Sequence, residues 1–165
     1  MSSHRWTCCR LLLSALFLLA TLSANAQNPG ICNDTWANSC TSSNTCPAPA
    51  GNPTPPSCTV QISHDSSNNA VIQYNNTTVS DICTYPSQPI TWTENEPSSA
   101  QFLLTFLSTP FNTNTYYFAG STGSNAQGTI VSSPTAGCFK FSIRQQVLTT
   151  IYSADPKVVV HGFGK

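Results

Sequence analysis

The feature that most constrains the fold is the stretch Gly137–His161, GCFKFSIRQQVLTTIYSADPKVVVH. From Phe139 to Ile143 apolar and polar side chains alternate, which is the period-two pattern of a strand with one buried face. A turn signal, Asp155-Pro156, precedes the β-branched run Val158–Val160, and this order predicts a last strand. A half-buried strand needs other strands to cover its apolar face, so the stretch predicts an all-β protein.

The chain from Cys58 onward consists of short apolar runs separated by Asn, Ser, Pro and Gly. This texture predicts ten strands: Thr59–Ser63, Ala70–Tyr74, Val79–Tyr85, Ile90–Thr93, Gln101–Leu107, Thr115–Ala119, Thr129–Ser132, Phe139–Ile143, Val147–Tyr152 and Lys157–Val160. The run Gln101–Leu107 is apolar on both faces, which predicts a central strand covered on both sides. Many short strands with turn residues between them are typical of a β-sandwich or barrel.

Residues 1–26 have the three parts of an export signal. Arg5 and Arg10 form a basic head, Leu11–Leu22 is an apolar core, and Ala24–Ala26 offers the small residues of a cleavage site. The apolar core is about a dozen residues long, shorter than the about 20 that cross a bilayer. We therefore expect a secreted or periplasmic protein whose mature chain begins near Gln27 and has no transmembrane segment.

The segment 27–57 differs from the rest of the chain, which divides it into a signal (1–26), an arm with a linker (27–57) and a β-domain (58–165). The arm holds Cys32, Cys40 and Cys46, almost no aliphatic residues, and the proline-rich run Pro47–Ser57. Its prolines favour extended, stiff chain. A cross-linked arm with a spacer is favoured over a small recognition knob, because the segment has no apolar core of its own.

The charge of the mature chain excludes one class of partner. Four basic and six acidic residues remain after residues 1–26 are removed, a formal net charge of −2. Nucleic-acid binding requires clustered Lys and Arg to neutralise phosphates. The chain has no such cluster, so we expect no nucleic-acid partner.

Six cysteines remain in the mature chain: Cys32, Cys40, Cys46, Cys58, Cys83 and Cys138. An even number in an exported protein favours disulfides, although six cysteines allow 15 connectivities. A zinc site is disfavoured because no C-x-x-C pair exists and the mature chain has two histidines, His64 and His161. These two histidines are the weak candidates for metal ligands.

Three segments resemble plastocyanin-type cupredoxins, which are Greek-key β-sandwiches. The segment ITWTENEPSSAQFLLTF (Ile90–Phe106) resembles the strand ending in Trp, the Pro-containing loop and the "His-Asn-Val-Val-Phe" strand of that family. GCFKFSI resembles the penultimate strand and DPKVVV the final strand. The resemblance covers about residues 58–162. In this region the chain is similar to small secreted bacterial domains with a cupredoxin-like fold. It implies a cupredoxin-like Greek-key sandwich.

The resemblance also implies that copper is absent. Blue copper requires two histidines, a thiolate and usually a methionine. The matched positions hold Ala100 in place of the first histidine and Ile143 in place of the thiolate, and the one methionine is Met1. Cys138 lies five residues before the thiolate position. We therefore expect no cofactor.

The order of strands in the resembled family implies a division of the cysteines. It places the turn after Cys83 and the turn before Cys138 at one pole of the sandwich, which makes a Cys83–Cys138 bridge feasible. The four earlier cysteines would then pair among themselves within the arm: Cys32, Cys40, Cys46 and Cys58.

Acidic and histidine side chains offer two candidate catalytic pairs. His64-Asp65 has the composition of a carboxylate-oriented imidazole, but neighbours on a strand point to opposite faces, so a turn-initiating Asp65 is the favoured interpretation. Glu94 and Glu96 are two residues apart and resemble a glycosidase pair, although acids beside a proline are commonly solvated. No catalytic residue is assigned.

The aromatic run Tyr116-Tyr117-Phe118, together with Trp92, is the candidate binding surface. Alternate members of a strand face opposite sides, so one side of the run is expected in the core. The other side would form an exposed aromatic platform for a protein or carbohydrate at the cell surface.

Sequons begin at Asn33, Asn75 and Asn76, and chance matches are expected in a chain this rich in Asn and Thr.

The leading hypothesis for function is a secreted, copper-free, cupredoxin-like module for binding or surface interaction. The alternative is a redox or metal protein with a non-standard site that uses His64, His161 and acids. A small secreted hydrolase is the third hypothesis, and an enzyme is the minority interpretation.

Overall fold

The computed structural model describes residues 39–49, 55–96, 99–132 and 137–161, and the signal predicted at 1–26 lies outside them. These residues form strands and connecting turns, with no helix. The strands are β1 (Cys58–His64), β2 (Ala70–Tyr74), β3 (Thr77–Val79), β4 (Asp81–Thr84), β5 (Pro89–Glu94), β6 (Ala100–Phe106), β7 (Tyr117–Ser121), β8 (Ala126–Thr129), β9 (Gly137–Val147), β10 (Thr150–Ala154) and β11 (Lys157–Val160). The prediction of an all-β protein is confirmed.

The strands form two sheets. One sheet has the order β3-β2-β1-β5-β8, and the other has the order β4-β11-β9-β6-β7, with β10 paired to β9. Two pairs are parallel, β1 with β5 and β4 with β11, and the remaining pairs are antiparallel. The fold is therefore a two-sheet β-structure in which sequence-distant strands lie side by side.

The strand β9 is the longest and organises the second sheet. Along one side it pairs with β6, and along the other it pairs first with β11 and then with β10. Asp155-Pro156 separates β10 from β11, as the turn signal predicts, because proline has no N–H for a ladder. The predicted boundary after Ile143 is wrong, since β9 continues to Val147 and turns at Leu148, whose φ is 54°.

The core between the sheets is dominated by aromatic rings. Trp92 is fully buried and lies with its ring centroid 4.9 Å from that of Phe118 and 5.5 Å from that of Phe111. Phe106 stacks on Phe141 at a centroid distance of 4.7 Å. A Cβ at Gly128 would lie 2.7 Å from the ring of Phe111, so only glycine fits beside this cluster.

The arm packs against the outer side of the second sheet. Thr45 forms a parallel bridge with Cys83 on β4, where the Cys46 N–H donates to the Cys83 carbonyl and the Cys83 N–H donates to the Asn44 carbonyl, both at 2.8 Å. A small second core forms beneath it from Cys83, Cys138 and Val159, with Cys40 packed on top. The arm therefore adds an edge to the sheet and covers part of its outer face.

The buried side chain of Gln88 fastens the arm to the sandwich. Its Nε2 donates to the carbonyls of Pro47 at 2.9 Å and Pro56 at 3.0 Å. Its Oε1 accepts from the Thr84 hydroxyl at 2.8 Å and from the Tyr85 N–H at 3.0 Å. Gln88 is fully buried, so its own amide depends on these four bonds, because leaving a buried polar group unpaired is costly.

The disulfides agree with the predicted division at Cys46–Cys58 and differ from it at Cys83. Cys40 is bonded to Cys83, with Cα atoms 5.8 Å apart, and Cys46 is bonded to Cys58. The predicted Cys83–Cys138 bridge is wrong because Val159 pairs with both cysteines from opposite sides. Two strand spacings separate them by about 9–10 Å, beyond the reach of a disulfide.

Cys138 is also disulfide-bonded. The other four described cysteines pair with one another, so its partner is not among the described residues. Cys32, which was predicted to pair within the arm, lies outside the described residues.

Within residues 39–49, 55–96, 99–132 and 137–161, no helix is long and apolar enough to cross a bilayer.

Candidate functional site

An uncovered sheet surface lies beside the arm, and we call it the open face. It consists of the outward side chains of β6, β7, β9 and β10, whose inward neighbours fill the core. Strand alternation places them there. Its central members are Gln101, Leu103, Tyr117, Ala119, Arg144, Gln146 and Ile151.

The pairing register sets the neighbours on the open face. Leu103 lies between Ala119 on β7 and Arg144 on β9. In the next row, the Nε2 of Gln101 donates to the Oε1 of Gln146 at 3.0 Å. A shallow groove of about 340 Å³ runs over these residues and is bounded by β10. The face therefore presents amides and aliphatic side chains on a fixed, pleated surface.

Large apolar side chains that reach solvent gather at this face. Tyr117 is 66% exposed, Ile151 60% and Leu103 39%. The other exposed large apolar side chains of the described residues lie at the ends of the same strands: Leu107, Tyr116 and Leu148. An exposed apolar patch rimmed by polar groups marks an interaction surface.

The charge of the open face is positive. Arg144 and Lys140 are exposed on β9. No aspartate or glutamate occurs in β6, β7, β9 or β10. The local surface therefore has the opposite sign to the net charge of −2 of the predicted mature chain.

The predicted aromatic platform is divided by the structure. Tyr116 and Tyr117 are exposed, whereas Phe118 and Trp92 are buried in the core. The prediction of a doubly covered strand at 101–107 is wrong, because Leu103 opens to solvent. The apolar residues on both faces of the run 101–107 were the sequence signal for the open face. Periodicity alone, however, does not show whether an apolar face is covered by a second core or exposed as an interaction surface.

A second group of polar side chains, the polar end, lies where β1 and β5 finish. Ser63 donates its hydroxyl to the Oε1 of Glu96 at 2.9 Å, and the Nδ1 of His64 lies 3.1 Å from the same oxygen. The ring of His64 stacks on Tyr152 with centroids 4.2 Å apart. His64 therefore contacts Glu96 rather than its sequence neighbour.

The second carboxylate of the polar end is Glu94. Burial raises the pKa of Glu94 above its ordinary value of 4.5, and the nearby carboxylate of Glu96 acts in the same direction. Hydrogen bonds from the Glu96 N–H and the Gln145 amide oppose this shift without cancelling it. Such a carboxyl is a proton donor closer to neutral pH than a free glutamate.

The polar end has acid–base groups but lacks the relay of a serine hydrolase. In such a relay the hydroxyl contacts the imidazole, whereas Ser63 donates to Glu96. Asp65 instead accepts the N–H groups of Ser67 and Asn69, both at 2.9 Å, in the turn that joins β1 to β2. Asp65 thus has the turn-forming position that its sequence context favoured.

The two histidines lie at opposite ends of the sandwich. His64 belongs to the polar end with Gln145, while His161 follows Val160, which pairs with Gly137. Gln145 lies eight residue steps after Gly137 on β9, about 26 Å along the strand. A metal site that uses both histidines is therefore incompatible with this arrangement.

His161, the second histidine considered as a metal ligand, is half-buried and packed against its neighbours. Its ring stacks on Tyr85 with centroids 5.3 Å apart, and its backbone N–H donates to the Thr84 carbonyl at 2.9 Å. Its neighbours include the Cys40–Cys83 disulfide.

The sequon residues Asn75 and Asn76 are exposed in the turn between β2 and β3, both with positive φ. Asn33 lies outside the described residues.

Comparison with known proteins gives no relative: no protein-family model matches the chain, and no curated protein matches it.

Proposed function

We propose that this protein is an extracytoplasmic binding module that docks a partner protein on the open face. The observation that carries the proposal is the gathering of exposed apolar side chains there, around Leu103, Tyr117 and Ile151. Elsewhere the described surface is built mainly from small polar residues. Tyrosine and arginine dominate binding energy at protein interfaces, and the open face offers Tyr117 beside Arg144.

The chemistry of the face indicates the chemistry of the partner. Arg144 has no carboxylate on its own strand or on β6, β7 or β10. A two-fold pairing of this face with a second copy would bring like charges near each other, which is unfavourable at an interface. The fitting partner is therefore a different protein with an apolar patch and a carboxylate that accepts from Arg144.

The same proposal includes a cupredoxin-like Greek-key sandwich without copper. The two-sheet architecture supports it, as does the position of the resembling segments, which form β5, β6, β9 and β11. The positions matched to copper ligands, Ala100 and Ile143, are buried and offer no ligand atom. Export is supported by the disulfides, which persist in oxidising compartments.

Site-specific photocross-linking tests the docking surface. A photoreactive phenylalanine analogue placed at Ile151 in the full chain, in the organism that makes the protein, should give one discrete adduct on irradiation. The same analogue at Thr78, exposed on β3 of the other sheet, is the matched control and should give none.

A second variant examines the charge. Arg144→Glu in the Ile151 cross-linking protein should abolish the adduct while leaving the melting temperature within a few degrees, because the side chain is exposed. Adducts of equal yield on both sheets would contradict the proposal, as would an adduct that survives the charge reversal. An adduct that contains a glycan and no second protein would also contradict the proposal, because it would show that the open face binds a carbohydrate.

A further inference from the structure

Three potential metal ligands converge at the end of the sandwich opposite the polar end. The Sγ atoms of Cys40 and Cys83 and a ring nitrogen of His161 lie within 4.8 Å of one another. Cys40 comes from the arm, Cys83 from β4, and His161 follows β11. The three residues are distant in sequence, and their convergence depends on the parallel pairing of β4 with β11.

One ring nitrogen of His161 is left unpaired among the described residues when Cys40 and Cys83 are bonded to each other. Its Nε2 is buried and has no hydrogen-bond partner among the described residues. The stacking of the ring on Tyr85 and the hydrogen bond from the backbone N–H of His161 to the Thr84 carbonyl hold the residue in place. A buried polar atom left unpaired costs free energy, and the ring that carries this atom lies beside two sulfurs, so the unpaired nitrogen points to a ligand.

The Cys40–Cys83 bridge is the more accessible of the two described disulfides. Cys40 is half-buried, whereas Cys46 and Cys58 are 2% and 0% exposed. A thiolate of a small dithiol can attack the Sγ of Cys40, which breaks the S–S bond and releases Cys83 as a thiolate. The second thiol of the reductant then displaces Cys40, so the bridge gains two electrons and the dithiol becomes a disulfide.

The arm remains in place when this bridge opens. The backbone bonds between β4 and residues 44–46 do not involve the sulfurs, and Gln88 still holds Pro47 and Pro56. The Cys46–Cys58 bridge also tethers the arm to β1. These contacts do not depend on the bridge, so we expect Cys40 to stay near His161 after reduction.

We propose that the reduced pair, Cys40 and Cys83, together with Nε2 of His161, binds Zn²⁺. Two thiolates and one imidazole are a known zinc donor set, with a fourth position left to water. The two thiolates balance the charge of the ion, and binding releases two protons if both thiols are protonated beforehand. The site is independent of the open face, and it makes the protein a redox-controlled zinc binder.

Zinc titration after selective reduction tests the site. Limited dithiothreitol followed by alkylation and mass spectrometry should label Cys40 and Cys83 before Cys46 and Cys58. The reduced, unalkylated protein should bind one Zn²⁺ per chain, and Co²⁺ in its place should give the visible bands of tetrahedral thiolate coordination. The oxidised protein should bind neither ion.

Two matched variants separate a ligand from a structural ring. His161→Phe keeps the stacking on Tyr85 but lacks a donor atom, and it should weaken zinc binding by more than the about 10–100-fold typical of losing an outer-shell partner. His64→Phe keeps its stacking on Tyr152 and should bind zinc as the wild type does. Equal zinc affinity in the wild type and His161→Phe would overturn the proposal, and so would loss of cooperative melting on selective reduction.

Discussion

Gln145 on β9 donates a hydrogen bond from Nε2 to Oε1 of Glu94 on β5 at 2.7 Å, which joins the two sheets at the polar end. The remaining oxygens of the pair, Oε2 of Glu94 and Oε1 of Gln145, are buried and have no partner among the described residues. A protonated Glu94 has an O–H to donate, whereas the carboxylate has none. The pair is therefore better satisfied when Glu94 is neutral.

The first prediction concerns the pH dependence of stability. The pKa of Glu94 is raised in the folded protein, mainly by burial, so its stabilising contribution is complete below its ordinary value of 4.5 and is lost as the pH rises through the raised value. Glu94→Gln supplies an N–H in place of the O–H and should raise the melting temperature at pH 7 more than at pH 4. Asp155→Asn, at an exposed loop carboxylate, is the control, and an identical pH profile in the two variants would contradict the assignment.

The second prediction concerns Asp65, whose contribution to stability depends on pH in the opposite direction to that of Glu94. The N–H of Asn69 is the main cause that lowers the pKa of Asp65 below its ordinary value of 3.8, so its contribution is present above that value and is lost as the pH falls through the lowered one. Asp65→Ala should therefore flatten the acid limb of the melting-temperature profile. Ser66→Ala, in the same turn, should retain that limb.

The aromatic core gives a prediction on magnitude. Phe141 is 2% exposed and stacks on Phe106, so Phe141→Ala should lower the free energy of unfolding by about 3–5 kcal/mol. Tyr117→Ala removes a similar ring from the open face and should change it by less than about 1 kcal/mol. Urea unfolding of both variants measures the difference, and equal losses would mean that the faces of β9 are wrongly assigned.

Gln88 gives a prediction on the arm. Gln88→Ala removes four hydrogen bonds and leaves the carbonyls of Pro47 and Pro56 without this donor. A typical hydrogen bond contributes about 0.5–1.5 kcal/mol net, so the loss of four should lower the free energy of unfolding by about 2–6 kcal/mol, with faster amide exchange at Cys46 and Cys83. Gln73→Ala, on β2, is a control with a much smaller expected loss. Unchanged exchange in the arm would contradict the role of Gln88.

The sequence predicts the strands well because their period and turn residues are local properties. The alternation around Phe141 and the break at Asp155-Pro156 both correspond to observed features. The disulfides were not predictable in the same way, because the register that places Val159 between Cys83 and Cys138 depends on a parallel pairing between distant segments.

The candidate sites were less predictable for the same physical reason. The contact between His64 and Glu96 joins β1 to the loop after β5, and the neighbourhood of His161 joins three segments. The sequence suggested a pair of His64 with its neighbour Asp65, but the Asp65 carboxylate accepts hydrogen bonds within its own turn. Tyr117 was identified from composition, but Leu103 and Ile151 require knowledge of which sheet face stays uncovered.

The position of β4 has a consequence for how the chain folds. Its two neighbours are Thr45 of the arm and β11, whose pairing with β4 spans most of the β-domain. Contacts of such long sequence separation form slowly, because loop closure must precede them. Until Lys157–Val160 is available, β4 lacks this neighbour, and an unpaired strand edge is a template for aggregation. Assembly of this sheet is therefore a late step in folding, since it must wait for the last strand of the chain.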